Sequence, residues 1–350
     1  MSHKPKALIA MSGGVDSSAA ALLTLQQGYD CLGGTMLLCQ SPEDLADAAA
    51  VAQRLEIPFY TFDAREPFRC LVQEPFVRSY EAGDTPNPCI LCNRHIKFAF
   101  LLERARELGC SHIVTGHYAR VSFDAATGRW LLRKAADSAK DQSYFLSTLT
   151  QEQLSHILFP LGELTKEQAR QLALEQQFVN ARKRDSQDIC FIPDGDYPRF
   201  LKAFTGTSYP EGDFLDLKGK PVGRHRGAVC YTLGQRKGLG IALGQPVYVC
   251  DKDMAANTVT VGPNEALYHR TLVASDFSWF PFPALTEPMR VLAKTRSRQT
   301  EQPATAYPEE NGTVRVVFDH PQRAITPGQT VTLYEGDTVL GGGTILNSEK

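Results

Sequence analysis

Apolar residues in the first 120 positions fall into two alternating patterns. Short continuous runs at Ala7–Met11, Gly33–Leu38, Phe59–Asp63 and Ser111–Thr115 predict buried strands. Between them, helical patterns over Ser17–Gln27, Pro42–Leu55 and Asn93–Leu108 predict the covering helices. Strand–helix alternation of this kind favours a parallel sheet, whose ligands bind beyond the carboxyl ends of the strands. The segments after Met11, Leu38 and Thr115 are therefore the places to search for chemistry.

Farther along, the pattern changes. Residues 124–200 read as mixed and mostly helical, with Thr165 a cap for a helix over Lys166–Gln176. From Gly206 onward glycine and proline become frequent and short β-like runs take over: Val229–Thr232, Val247–Cys250, Thr258–Val261, Thr313–Phe318 and Gln329–Tyr334, with Gly336-Asp337 as a turn. The economical expectation is an α/β nucleotide-binding domain over residues 1–205. Two small, mainly antiparallel β domains would follow over 206–268 and 269–350, the last barrel-like.

Composition narrows the class. A chain of 350 residues with 43% apolar and 22% charged positions reads as an ordinary globular protein of two or three domains. No apolar run is long enough for a membrane span, and Ala7–Met11 runs straight into Ser12-Gly13-Gly14, unlike a secretory leader. A cytoplasmic protein with no membrane partner is expected. The net charge of −2 offers no global attraction for a polyanion, so nucleic-acid binding would need local basic patches. Nine cysteines without an export signal argue against a disulfide framework. Cys31, Cys39, Cys70, Cys110, Cys230 and Cys250 sit among apolar neighbours and read as buried thiols.

The first chemical motif is Ser12-Gly13-Gly14-Val15-Asp16-Ser17-Ser18, between a strand and its helix. Two glycines let the backbone approach an anion, and the helix start aims N–H groups and a positive dipole end at it. The loop lacks the Gly-Lys-Ser/Thr ending of enzymes that transfer a γ-phosphate. A lysine-free cradle suits one that holds pyrophosphate as a leaving group while the α-phosphoryl moves. Asp16 is a candidate to hold the Mg²⁺ accompanying ATP, with no permanent metal site expected. The loop resembles the PP-loop of the ATP pyrophosphatase superfamily, which includes both amide-forming synthetases and RNA thiolases.

The second motif is Thr85-Pro86-Asn87-Pro88-Cys89-Ile90-Leu91-Cys92-Asn93, leading into a helix. Cys92 falls near the helix start, where the dipole together with Arg94 and Lys97 is expected to lower its pKa. Cys190 follows the basic run Arg182-Lys183-Arg184, in Ser186-Gln187-Asp188-Ile189-Cys190-Phe191-Ile192. A structural zinc site is disfavoured because there is no second Cys-x-x-Cys pair. An iron–sulfur cluster on Cys89, Cys92 and Cys190 stays open, since three thiolates would leave one iron available for sulfur delivery.

These motifs stand in order with Thr115-Gly116-His117-Tyr118-Ala119-Arg120, Lys140-Asp141-Gln142-Ser143-Tyr144-Phe145-Leu146 and Tyr231-Thr232-Leu233-Gly234-Gln235-Arg236-Lys237-Gly238-Leu239-Gly240. Together, over nearly the whole chain, they resemble the bacterial tRNA-specific 2-thiouridylase family. The resemblance implies Cys92 as nucleophile, Cys190 as persulfide carrier and a disulfide between them after sulfur transfer. It implies ATP contacts at Ala10, Met11, Ser12, Gly13, Gly14, Val15, Asp16, Ser17, Met36 and Gly116. The target base is implied at Asn87, Pro88 and Cys89. Further tRNA contacts are implied at His117, Lys140, Asp141, Gln142, Arg296, Ser297 and Gln329. Many relatives carry Asp where this chain has Cys89, so Cys89 is not expected to be obligatory. Ser297 stands where a tyrosine is usual, which removes a stacking or hydroxyl contact.

The implied reaction is ATP-dependent 2-thiolation of the wobble uridine in glutamate, glutamine and lysine tRNAs. A cysteine desulfurase or sulfur-relay protein would act as donor. The rival readings are another PP-loop adenylating enzyme, namely a different RNA thiolase or an amide-forming synthetase with no use for the two cysteines, and a non-catalytic RNA-binding protein. For RNA contact, the expected grips are Lys218, Lys220, Arg224, Arg226, Arg236 and Lys237, and a second group of Arg290, Lys294, Arg296 and Arg298. Neither group has an acidic residue interspersed.

Overall fold

The structure is a computed structural model and describes residues 4–39, 41–183 and 189–349. The N-terminal part is built on β1 (Lys6–Ala10), β2 (Asp30–Leu37), β3 (Phe59–Asp63) and β4 (His112–Val114). After a hairpin of β5 (Arg120–Asp124) and β6 (Arg129–Arg133) comes β7 (Ile157–Leu158). Five of these form a parallel sheet in the order β3-β2-β1-β4-β7.

The sheet is buried on both faces, which is why its strands read as continuous apolar runs. Leu8, Leu32 and Ile113 face one core with Ile96, Leu101 and Ala105 of the helical stretch that opens at Pro88. Their neighbours Ala7, Ile9, Cys31 and Val114 face the other. That second core holds Ala19, Ala20 and Leu22 of α1 (Val15–Gln26), and Val51 and Ala52 of α2 (Pro42–Arg54). Ser41 starts α2 by a reciprocal cap with Asp44, with Pro42 preset for the first turn.

The four strands Gly212–Leu215, Pro221–His225, Tyr248–Asp253 and Thr258–Gly262 make a second sheet. It is antiparallel except where Thr258–Gly262 runs parallel to Gly212–Leu215. Its core takes in Phe76, Val77 and Tyr80 from the helix Glu74–Glu81, so this unit is seated on the first. Val229–Thr232, expected as a strand, holds the short helical turn Ala228–Cys230 instead, buried in that core.

Tyr268–Trp279, Met289–Lys294, Gln302–Pro308, Val314–Arg323, Thr330–Glu335 and Thr338–Glu349 form a barrel. It closes where the first of these strands pairs with the last. The hairpin β5–β6, whose second strand falls in the stretch expected to be mixed and mostly helical, extends this barrel sheet through Thr338 opposite Arg133. Arg120 and Arg133 hold Asp337 at 2.9 and 3.0 Å, and Arg129 donates to the carbonyls of Phe280 and Trp279. These arginine contacts add to apolar packing, since Leu132 is fully buried in one core with Phe280, Tyr334 and Val339. Among the described residues no helix is long and apolar enough to cross a membrane.

Candidate functional site

The glycine-serine loop sits between β1 and α1, at the carboxyl end of the central strand. Gly14 precedes α1 and no side chain caps the helix. Ser17 Oγ accepts from the Ser12 N–H at 3.2 Å and donates to the Gly14 carbonyl at 2.9 Å, closing the loop on itself. Gly13 has φ +75°, and a side chain there would strike the Asp44 carbonyl oxygen at 2.2 Å. Gly116 is pressed against the same loop: a Cβ would lie 2.7 Å from the Asp16 carbonyl carbon and 2.8 Å from the Ser17 nitrogen. Met36 is buried near the end of β2.

Two residues that motif reading did not single out complete the cradle. Lys166, almost fully buried at the start of its helix, places Nζ 2.7 and 2.8 Å from the two Asp16 carboxylate oxygens. The Tyr118 hydroxyl donates to Asp16 Oδ1 at 2.9 Å. A magnesium contact through Asp16 therefore competes with an ion pair. Asn180 donates to the Gly13 carbonyl at 2.9 Å and to Ser18 Oγ at 3.0 Å, while its own Oδ1 is buried without a partner. The available signal for Lys166 was its place just after the Thr165 cap; nothing local distinguished Asn180.

The thiols collect at the same edge of the sheet. Cys92 does not stand at a helix start. The turn Pro88–Leu91, begun by Asn87 accepting from the Cys89 N–H, precedes it, and wide helical turns continue over Cys92–Phe100. Burial pushes its thiol up to about 11, against the pull of the Lys97 ammonium, with Cys190 and Cys89 adding to the rise. The expected low pKa at Cys92 is thus corrected: desolvation outweighs the cation, and the helix start lies a turn earlier. Cys89 is exposed at its side chain, yet its thiol is also raised, chiefly by desolvation.

Cys190 is the low-pKa thiol. It is exposed, and its pKa is drawn down to about 7, first by a hydrogen bond from the Cys39 thiol and also by Lys97. Cys39, expected among the buried cysteines, is exposed beyond the end of β2. Its own pKa is raised by that hydrogen bond and by burial around it, so it keeps the proton while Cys190 carries the charge. Lys183 of the basic run is taken up by Asp44 and Asp47 at 2.8 and 2.5 Å. Arg184 and Ser186–Asp188 lie outside the described residues. Among the described residues no three His, Cys, Asp or Glu side chains converge to hold a metal ion.

One segment links the two halves of the site. Asn180 touches the phosphate loop and Lys183 touches α2, and the chain then reaches Cys190 beside Cys39.

Residues 5–194 match the model described as a tRNA methyl transferase HUP domain. Residues 198–263 match a tRNA methyl transferase PRC-barrel domain, and 269–345 an aminomethyltransferase beta-barrel domain. The tRNA-specific 2-thiouridylase MnmA of Symbiobacterium thermophilum is 48% identical, covering 97% of this chain and 92% of that one. Its counterpart in Clostridioides difficile is 45% identical, covering 98% of each. This chain belongs to the MnmA family. A 4-thiouridine synthetase in complex with RNA and bound ATP aligns at 15% identity and TM-score 0.37, over 54% of this chain and 45% of that one.

Against the MnmA pattern, several expected tRNA positions turn inward. His117 is buried against Phe98 and Phe159, with Nδ1 2.7 Å from Thr115 Oγ1, and burial followed by Lys97 holds its pKa well below the usual value. Asp141 accepts from the Ala135 and Ser143 N–H groups and the Ser143 hydroxyl, and Gln142 accepts from the Tyr118 N–H. Lys140 is half-buried beside them. Gln329 donates to the Thr85 carbonyl at 2.6 Å, while the Thr85 N–H donates to Pro327. The barrel thereby clamps the loop that leads to Asn87 and Pro88. Arg296 donates to the Ala324 carbonyl and Thr326 Oγ1, and Ser297 beside it is half-buried.

The basic groups are less unopposed than their sequence spacing implied. Arg290 forms a bidentate pair with Asp319, Lys294 lies 3.6 Å from Glu301, and Arg224 meets Asp213. Strand pairing and sheet packing bring these acids across from distant positions. Lys218, Lys220, Arg226, Arg236, Lys237 and Arg298 are exposed.

Proposed function

We propose that this chain replaces the 2-oxygen of the wobble uridine of tRNA with sulfur, using ATP to activate the oxygen and Cys190 to carry the sulfur. The observation that carries this reading is the pairing of a depressed-pKa thiol at Cys190 with buried Cys92. Both lie under the field of Lys97, and Cys190 ends the segment that leaves the phosphate loop at Asn180. Family membership over the full chain supports it. Glutamate, glutamine and lysine tRNAs are the proposed substrates, and the setting is the cytoplasm.

Extrusion of the base exposes its 2-carbonyl, which the anticodon stack would shield. Asn87, Pro88 and Cys89 receive the base, on a loop held by Gln329. The 2-oxygen attacks the α-phosphorus of MgATP, a bond to pyrophosphate breaks, and the oxygen becomes part of a good leaving group. The N–H groups of the phosphate loop hold the departing pyrophosphate. A thiolate at neutral pH is the form that accepts a sulfane sulfur from a cysteine desulfurase or relay protein, and Cys190 has it.

The persulfide sulfur then bonds to C2, directly or as hydrosulfide expelled by Cys92, and AMP departs with the oxygen. Cys92 and Cys190 end as a disulfide, the two electrons having gone into the thiolated base. Lys97 steadies negative charge at both sulfurs.

The test supplies ³⁵S-cysteine, a desulfurase, ATP and tRNA to the full chain. One labelled uridine should appear for each pyrophosphate released. Unlabelled tRNA would remove the thiolase reading, and tRNA-dependent pyrophosphate release without label would point to another adenylating enzyme. Substitution of Cys89 by Ser should leave substantial labelling; loss of labelling together with bound iron would revive the cluster reading.

A further inference from the structure

The peptide between Gly13 and Gly14 has no side chain on either flank to steer it. A planar trans peptide points its carbonyl and its N–H in opposite directions. Turned over, this one would present an oxygen where an anion cradle needs a hydrogen. The Gly14 carbonyl is secured locally: it accepts from the Ser18 N–H and from the hydroxyls of Ser17 and Ser18. Gly13 stands before the helix, outside its hydrogen-bond ladder. Its carbonyl is held from 167 residues away, by the Asn180 amide at 2.9 Å.

Asn180 holds it from the buried side. The asparagine is 2% exposed, whereas Gly14 is half-buried. The Gly14 N–H, opposite the Gly13 carbonyl, is thereby aimed toward the open side, among the N–H groups that α1 leaves unused at its start. Asn180 is itself firmly mounted. Its second donation goes to Ser18 Oγ at 3.0 Å, and its carbonyl accepts from the Lys183 N–H at 2.9 Å. The neighbouring Phe178 and Ala181 are buried in the core that holds α1. Lys183 Nζ reaches the Asp44 carboxylate at 2.8 Å, and the Asp44 carbonyl backs Gly13. The Asn180 Oδ1 is buried with no partner. A buried amide with one end unpaired is a poor packing choice, so its retained use lies in the donor end.

We propose that Asn180 is a positioning residue of the phosphate loop: by holding the Gly13 carbonyl inward, it keeps the Gly14 N–H facing the pyrophosphate end of ATP. The inference rests on the reading of this loop as the pyrophosphate cradle. Asn180 acts through the peptide and sets affinity for the polyphosphate alone. Adenosine, which carries no phosphate, is indifferent to it.

The experiment titrates the full-length protein with magnesium pyrophosphate and, separately, with adenosine. Asn180→Leu keeps nearly the same shape and removes both donations. Its pyrophosphate affinity should fall about tenfold, the ordinary worth of one such hydrogen bond, with adenosine affinity unchanged. In tRNA-dependent pyrophosphate release the KM for MgATP should rise in step, while the KM for tRNA stays at the wild-type value. Asn180→Ala, which removes the same donor without adding apolar bulk, decides the matter should the leucine variant fail to fold. Wild-type pyrophosphate affinity in the variant, or an equal loss for adenosine, overturns the role of Asn180. A wild-type protein that binds MgATP but neither binds pyrophosphate nor lets it compete would instead defeat the cradle reading beneath it.

Discussion

The two ends of the site are built by opposite strategies. At the nucleotide end, a short contiguous loop is held by bonds that begin and end within a few residues, and outside supports lock it further. Gly116 touches its backbone, Asn180 its Gly13 carbonyl and Lys166 its carboxylate. At the sulfur end, four thiols come from three segments distant in sequence, and their charge states are set by burial and by one another, with Lys97 acting on all but Cys39. Preorganised donors serve a step in which charge develops at a fixed place. Thiols that trade a proton serve a step in which sulfur must move.

If the two ends are separable, removing a thiol should stop sulfur transfer without disabling activation. Cys190→Ser and Cys92→Ser are each expected to lower 2-thiouridine formation by about 10³-fold or more, as for groups that act as a unit. tRNA affinity should be nearly unchanged in a filter-binding titration. Should Cys190→Ser retain thiolation, the division of labour between the ends is wrong.

The next largest effect belongs to the other end. Gly116→Ala puts a methyl group where the Asp16 and Ser17 backbone already stands. A displacement of about 1 Å at a positioning group costs on the order of 10²-fold in rate. tRNA-dependent pyrophosphate release should fall by that factor, while sulfur loading on Cys190 from the desulfurase stays normal. Equal loss of both would show that the ends are mechanically coupled.

Lys166→Met isolates the support of the loop. It leaves Asp16 without its ammonium in a site where the lysine is 8% exposed and the aspartate 32%. Breaking a fully buried pair costs 3–5 kcal/mol as a rule, and the partial exposure of Asp16 reduces the expectation to about 2 kcal/mol. Urea unfolding measures this, and adding Asp16→Asn should recover part of the loss. No recovery would mean that Lys166 acts by packing rather than by charge.

The contrast between the ends also accounts for what the sequence disclosed. The phosphate loop was legible because its chemistry is local: two glycines and three serines between a strand and a helix. The parallel sheet was legible because burial on both faces writes uninterrupted apolar runs. The β5–β6 hairpin was not, since its partners lie far along the chain: Leu132 is buried with Tyr334 and Val339, and Arg120, Arg129 and Arg133 reach Asp337 and the Phe280 carbonyl. Motif order located Cys92 and Cys190, but their protonation was beyond reach. Desolvation at Cys92 and the Cys39 hydrogen bond at Cys190 are products of the folded chain alone. Cys39 follows Leu37 and Leu38, a setting that predicts a core thiol, yet the fold leaves it exposed beyond the end of β2.

The smallest effect sharpens the sulfur end itself. Alkylation follows the thiolate, so iodoacetamide should modify Cys190 with a midpoint near pH 7 and Cys92 only as pH climbs toward about 11. At pH 6 the Cys190 rate should be about tenfold below its plateau, one unit under the midpoint. Cys39→Ala removes the largest influence holding that pKa down and leaves Lys97 in place. The Cys190 midpoint should then move up toward the ordinary thiol value of about 8.5, while Cys39→Ser, which keeps a hydroxyl donor, should move it less. Peptide-resolved labelling across pH 5–10 reads each thiol separately. A midpoint unmoved in Cys39→Ala would assign the low pKa to Lys97 alone, and the two exposed thiols would no longer count as a proton-sharing pair.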